Sequence, residues 1–419
     1  MMIPKLRFKG FSNNWSSNKL DNIFSFKNGL NASKEMYGNG VKFINVLDII
    51  NNNKLNFDVI QECVVATDEQ ISNYKVIQGD ILFQRSSETR EEVGQANVYT
   101  DSKTVLFGGF VIRARPVIKM DSVFFNFQLK TDTLRKDITQ RSGGSTRYNI
   151  GQDSLGKVTA FLPEIDEQIK IANFLTAVDE KIILLGKQYD LLCQYKKGIM
   201  QKIFSQKLRF KDENGDVYPA WKTKSFKELY KLLNTNSLSR SELNYENGYV
   251  KNIHYGDIHT RFNSRFDITK ELVPYLSKTM KISEECFCRN GDLVIADASE
   301  DYNDIGKCIE ITNVNQQQIV AGLHTFLARP ITSMALGFGS YMMQSSEVRR
   351  KIKIIATGVS VLSITKKNLL DLMIPLPSID EQTKITNYLS SLDDKIAVKK
   401  AELDKLKTWK QGLLQQMFV

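Results

Sequence analysis

The sequence predicts an α+β protein written twice: two similar mixed domains, each followed by a long helix, with the helices paired as a coiled coil about a pseudo-two-fold internal repeat. Three observations predict this. The segment LPEIDEQIKIANFLTAVDEKI, from Leu162, returns as LPSIDEQTKITNYLSSLDDKI, from Leu376, with 13 of 21 positions identical. Unrelated segments would match at roughly one or two positions. Each copy opens a run with apolar residues stepping by three and four. The stretch before each copy is rich in β-branched runs broken by glycine turns.

A chain of 419 residues exceeds one ordinary core and has room for two or more domains. Hydrophobic residues are 42% and charged residues 25%, which fits a globular protein. No run approaches about 18 apolar residues, so no transmembrane helix is expected. The opening MMIPKLRFKGF turns polar too soon for a secretory signal, and cytoplasmic location is the expectation. The balance of 57 Lys+Arg against 47 Asp+Glu gives +10, which favours a polyanionic partner through counterion release. Cys63, Cys193, Cys286, Cys288 and Cys308 are odd in number and irregular in spacing, unlike a disulfide framework. Cys286-x-Cys288, with Cys308, His254, His259 and His324 in the same half, matches no zinc spacing. Strand alternation would put Cys286 and Cys288 on one apolar face, and no metal is expected.

The repeat carries further landmarks at nearly the same spacing. Ala114-Arg115-Pro116 answers Ala328-Arg329-Pro330, Gly144 answers Gly358, Gly198 answers Gly412, and Phe204 answers Phe418. GDILFQRSSE, from Gly79, answers GDLVIADASE, from Gly291. Arg7-Phe8-Lys9 rhymes with Arg209-Phe210-Lys211, and Trp15 with Trp221. A period this long marks two similar domains rather than a solenoid.

The long helices follow from heptads. Leu175, Val178, Ile182, Leu185, Tyr189, Leu192, Lys196, Ile199 and Ile203 form one seam, broken by one lysine. Leu389, Leu392, Ile396, Lys399, Leu403, Leu406, Lys410, Leu413 and Met417 form the other. Pro163 and Pro377 lie just upstream, Ser378 and Glu381 fit a capping box, and Asp380 adds negative charge to the first turn. About forty residues at 1.5 Å each span roughly 60 Å. Such a helix cannot expose its seam to water, so the seams are expected to pack on each other. In the domains, Val105–Arg115 and Ile319–Arg329 read as strands, and Phe125–Thr139 and Leu336–Lys353 as helices. The Gly79-Asp80 and Gly291-Asp292 dipeptides read as turns into buried strands.

Catalytic signatures are missing. Gly306-Lys307 has Asp301 where a phosphate loop needs glycine, and Cys308 follows. There is no G-x-S-x-G, no H-E-x-x-H and no Pro-Pro of an adenine methyltransferase loop. Asp166, Glu167 and Lys170 could suggest a nuclease, but acidic residues at a helix start read first as charge and cap. No catalytic residue is expected.

The order of variable half, LP-x-I-x-EQ-x-K-I helix, second variable half and same helix resembles the specificity (S, HsdS) subunit of type I restriction–modification systems. The stretches VKNIHYGDIHTRF, IADASED and GLHTFLARP also resemble that family's recognition domains. The resemblance covers the whole chain. It implies target-recognition domain 1 over 1–161, long helix 1 over 162–205, target-recognition domain 2 over 206–375 and long helix 2 over 376–419. It implies a non-catalytic subunit whose domains each read half of a bipartite double-stranded DNA target. Antiparallel helices would set the gap and dock two methyltransferase (M) subunits, and motor-nuclease (R) subunits would join for cleavage. S-adenosylmethionine, ATP and magnesium would bind those partners, with no cofactor on this chain and no membrane association.

Candidate base-reading residues are polar side chains on loops. In the first arm they are Gln84, Arg85, Ser86, Ser87, Glu88 and Arg90, then Ser145, Thr146, Arg147 and Tyr148 after Gly143-Gly144. In the second they are His254, Tyr255, His259, Thr260 and Arg261, then Asp297, Ser299, Glu300 and Asp301. The arginines of the first arm have no counterparts in the second. A single-chain nuclease or methyltransferase would need the missing motifs, and S-adenosylmethionine binding by the purified chain would revive it. A coiled-coil scaffold that binds no DNA leaves the basic charge and duplicated arms unexplained.

Overall fold

The computed structural model describes residues 3–277 and 281–419. The chain forms two compact units, Met1–Lys187 with Ala401–Val419, and Gln188–Lys400. In the first unit an antiparallel sheet runs in the order Phe24–Asn28, Val111–Pro116, Ile81–Gln84, Ala96–Val98. Beside it lies a three-stranded sheet of Cys63–Val64, Tyr37–Ile44 and Leu106–Phe107. The second unit repeats the plan as Tyr230–Leu233, Thr325–Pro330, Leu293–Ala296, Cys308–Thr312, with Arg265–Asp267 added at the edge. Its other sheet runs Leu243–Asn244, Tyr275–Leu276, Val250–Ile253, Gln318–Ala321.

The landmarks of the repeat are structural joints. Gly79 and Gly291 have φ of +92° and +87°, a region that favours glycine, and each turns the chain into a fully buried strand. The aspartate that follows is buried and held from the central strand. Arg115 Nε and Nη2 donate to Asp80 at 2.8 and 2.7 Å, and Arg329 donates likewise to Asp292 at 3.0 and 2.7 Å. These pairs account for both Gly-Asp and both Ala-Arg-Pro motifs.

Five local expectations are corrected. Val105–Arg115 is two strands in different sheets, because Val111 N–H bonds back to Gly108 O and turns the chain. Ile319–Arg329 divides likewise, at 322–324, where His324 has φ of +54°. Each expected domain helix is also two. Thr131 caps Asp132–Gln140 after Ser122–Gln128, and Ser345 caps Ser346–Ile355 after Phe338–Gln344. Cys286 closes a 3-10 turn rather than sharing a strand with Cys288, which is buried, and all five thiols are free.

The long helices run Ile165–Phe204 and Ile379–Met417. Every seam residue is buried or half-buried. In the first unit, Leu175, Val178 and Ile182 of the first helix share a core with Leu406, Leu413 and Met417 of the second. In the second, Ile199 and Ile203 share one with Leu389 and Leu392. Within each unit, then, the start of one helix meets the end of the other, the antiparallel arrangement. Trp15 packs edge-on to Phe418, and Trp221 to Phe204, so each arm's tryptophan meets the other repeat's helix end.

The shared Glu-Gln of the helix starts has a different task from capping. Arg7 binds Glu167 through two 2.7 Å bonds, and Arg209 binds Glu381 at 2.7 and 2.8 Å. Both carboxylates are buried. Ser378 Oγ accepts from Glu381 N–H at 3.4 Å, but the carboxylate turns away to Arg209 and Trp221, so the capping box is half-formed. Gln168 donates to Pro163 O and accepts from Asp121 N–H, and Gln382 does the same with Pro377 and Ala335.

Candidate nucleic-acid interface

In the first arm the two candidate stretches meet. Ser86–Ser87 pairs with Tyr148–Asn149, and Ile150 N–H donates to Arg85 O at 2.9 Å. Gly143 and Asn149 exchange backbone hydrogen bonds that close the loop, and Gly144 turns its tip at φ of +118°. A Cβ on Gly144 would lie 2.0 Å from Arg147 O. Arg85, Glu88, Arg90, Ser145, Thr146 and Arg147 are exposed around this hairpin. Gln84 and Ser87 face inward: Gln84 donates to Ser86 O, and Ser87 Oγ donates to Glu92. Ser86 Oγ bonds to Asn149, and the half-buried Tyr148 packs against the core. Arg90 Nε donates to Thr139 O at 3.3 Å.

In the second arm Ala298–Ser299 pairs with Leu362–Ser363 in the same position. Thr357 and Ser363 close the loop, and Gly358 has φ of +127°. Beside it lies the short helix Tyr255–Thr260, capped by His254 Nδ1, which accepts from Gly256 N–H. Burial and the nearby Arg240 hold the His254 imidazole below its ordinary pKa. The chain's three histidines all surround Tyr255. His254 stacks on its ring at 4.7 Å, and His324 and His259 meet it edge-on at 5.3 and 6.2 Å. His259 Nε2 lies 3.0 Å from Ala298 O, which ties the helix to the hairpin. Thr260 Oγ1 is taken by Gly256 O, and Arg261 bonds Tyr245 and pairs with Asp257. Ser299 Oγ bonds Asp301, Glu300 and Asp301 are exposed, and Asp297 lies 3.4 Å from His324. Burial raises the Asp297 carboxyl above its ordinary range, opposed by His324.

The family described as Type I restriction modification DNA specificity domain matches residues 12–194 and again 200–408. The chain belongs to that family. Membership in this DNA specificity family marks a specificity subunit and not a catalytic one. The chain is 24% identical over 96% of its length to a relative named as the specificity subunit of type I restriction enzyme MjaX of Methanocaldococcus jannaschii, 92% of which is covered. It is 23% identical over 86% to the MjaVIII specificity subunit of the same organism, 83% of which is covered. In fold it matches the S subunit of a type I restriction–modification system from M. genitalium, with a TM-score of 0.58, 15% identity and coverage of 100% and 99% of the two chains. A chain from a study of complex assembly and conformational transition of the type I R-M system matches at 0.57, with 18% identity and 96% and 97% coverage.

Some features of this specificity subunit were missed by sequence reasoning. His324 stands beside the second strand pair, its carbonyl accepting from Asp297 N–H, and the signal was its offset from Phe110, whose carbonyl takes the same place for Arg85 in the first arm. Val359 and Val361 stand exposed where the first arm has Ser145 and Arg147. Among the described residues no group of three His, Cys, Asp or Glu side chains could hold a metal ion. No helix among them is long and apolar enough to cross a membrane.

Proposed function

We propose that each arm reads one half of a bipartite double-stranded DNA target, with 1–161 and 206–375 as the two target-recognition domains. The long helices, 162–205 and 376–419, set the gap between half-sites and dock two methyltransferase subunits, and motor-nuclease subunits complete the complex. S-adenosylmethionine, ATP and magnesium act on those partners in the cytoplasm, and this chain carries out no reaction. The reading rests on one observation: each arm gathers exposed polar residues on a short antiparallel strand pair and the glycine-turned loop beside it, built alike in both arms but with different side chains. A shared frame with unlike loops suits two different half-sites, because base edges are told apart by side-chain chemistry. The excess of cations supplies phosphate attraction.

The test is co-expression with the methyltransferase subunit and mapping of adenine methylation on genomic DNA. Methylation at one split motif, with one half changed by exchanging 1–161 and the other by exchanging 206–375, supports the reading. Methylation without sequence preference overturns it.

A further inference from the structure

The two arms place side chains of opposite charge at one equivalent backbone position. Arg85 follows the strand Ile81–Gln84, and Asp297 follows Leu293–Ala296. Arg85 N–H donates to Phe110 O at 2.9 Å, and Asp297 N–H donates to His324 O at 3.1 Å. Arg85 O accepts from Ile150 N–H at 2.9 Å, and Asp297 O accepts from Ile364 N–H at 2.9 Å. The same two backbone bonds therefore fix both residues, and only the side chains differ. Arg85 is exposed, and among the described residues its guanidinium has no hydrogen bond or ion pair. Asp297 keeps about a quarter of its side chain exposed, at 26%, with Oδ1 facing His324. The adjoining loop changes in step: exposed Ser145 and Arg147 give way to Val359, fully exposed, and Val361.

We infer that the two arms read base edges of opposite polarity: Arg85 takes the acceptor edge of a guanine in one half-site, and Asp297 takes an exocyclic amino donor, cytosine N4 or adenine N6, in the other. This rests on the two-armed reading above. A guanidinium matches guanine O6 and N7 with two parallel N–H donors, whereas a carboxylate can only accept. Each side chain also rejects the other's base, since an unpaired buried polar group opposes the wrong edge. His324 holds one carboxylate oxygen of Asp297 and leaves the other for the base. Val359 and Val361 suit a neighbouring thymine methyl, which polar Ser145 and Arg147 do not.

The test uses the chain in complex with its methyltransferase subunit, titrated at fixed salt against duplexes in which each base pair of both half-sites is replaced in turn. Arg85→Ala should relax discrimination at one guanine of the first arm's half-site by about 5- to 150-fold and leave the second half-site unchanged. Arg85→Lys, which keeps the charge but not the fork, should lose the same discrimination with less loss of affinity. Asp297→Ala should relax one cytosine or adenine of the second arm's half-site by a similar factor. For the unaltered chain, 7-deazaguanine at the first position should reproduce part of the Arg85→Ala loss. The inference is overturned if either variant weakens binding evenly across all duplexes, leaves the motif untouched, or relaxes a base of the opposite polarity. An unaltered complex with no preference at any position instead overturns the two-armed reading itself.

Discussion

Lys410 Nζ lies 2.5 Å from Asp179 Oδ1, and Lys196 Nζ lies 2.5 Å from Asp393 Oδ1, the same ion pair with the two long helices exchanged. A lysine in a heptad seam costs stability unless its charge is met. Here Lys410 and Lys196 each meet an aspartate of the other repeat. Each also lies over an aromatic ring of the nearby arm, Lys410 over Phe127 at 5.5 Å and Lys196 over Tyr341 at 5.2 Å. The break at Lys196 in one seam and at Lys410 in the other is thus a joint between helix pair and arm.

Removing the carboxylate should cost more in the first unit than in the second. Asp179 keeps 10% of its side chain exposed and Asp393 keeps 34%. Asp179→Ala leaves Lys410 beside Lys130, whose amine is already pulled down to about 8 by burial and by Lys410. A loss of about 3 kcal/mol is expected, against about 2 kcal/mol for Asp393→Ala, which also strips the acceptor from the buried Tyr341 hydroxyl. Urea denaturation of both variants checks the order, and equal losses would contradict it.

Stability should fall as pH rises from about 4.5 to 7. Glu310 is buried, and burial pushes its carboxyl up to about 7 despite N–H bonds from Gly337 and Ser340. In that window the folded chain holds a proton that the unfolded chain has released, so stability is full below it and lost through it. The contribution is roughly 3 kcal/mol at most. Glu310→Gln should flatten the slope of melting temperature against pH, and an unchanged slope would mean the group does not titrate there.

The repeat, the seams and the α+β class were legible because apolar spacing and identity survive in the chain itself. Long-range partners were not. Glu381 looked like a capping residue because Ser378 stands three before it, whereas its partner Arg209 lies far upstream. The split of Val105–Arg115 was hidden because Leu106–Phe107 and Val111–Ile112, on either side of the turn, are buried and apolar alike. Among the candidate loop residues, Arg85 and Arg147 stand exposed, whereas Gln84 and Ser87 are buried and bonded to Ser86 O and Glu92, which loop polarity alone does not reveal. His324 could be found only by setting it against Phe110 in the other arm.

Filling the loop glycines should separate reading from folding. A Cβ on Gly144 meets Arg147 O at 2.0 Å, and one on Gly358 meets Val361 O at 2.1 Å. Both glycines also sit at positive φ, so substitution costs about 1–3 kcal/mol or rebuilds an exposed loop. Gly144→Val should blur one half of the methylated motif and Gly358→Val the other. A variant that methylates the unaltered motif at full preference would remove that loop from the interface.

If the long helices dock two methyltransferase subunits as proposed, that docking should depend on one exposed apolar position in each repeat. Leu184 is 57% exposed on the first long helix, and its repeat equivalent Val398 is 56% exposed on the second. Neither contributes to a seam, and Ile183 extends the first site at 44% exposure. Their recurrence at one equivalent place in both repeats suits the contact that the proposed docking would cover. A glutamate there leaves the fold within about 0.5 kcal/mol but places an unpaired charge in a desolvated contact. Leu184→Glu should therefore reduce the complex from two methyltransferase subunits to one, Val398→Glu should remove the other, and the double variant should bind neither. Native mass spectrometry of the co-purified complex counts them directly. Two subunits retained by the double variant would move the docking surface elsewhere, and the loss of both from a single variant would mean that they bind only as a pair.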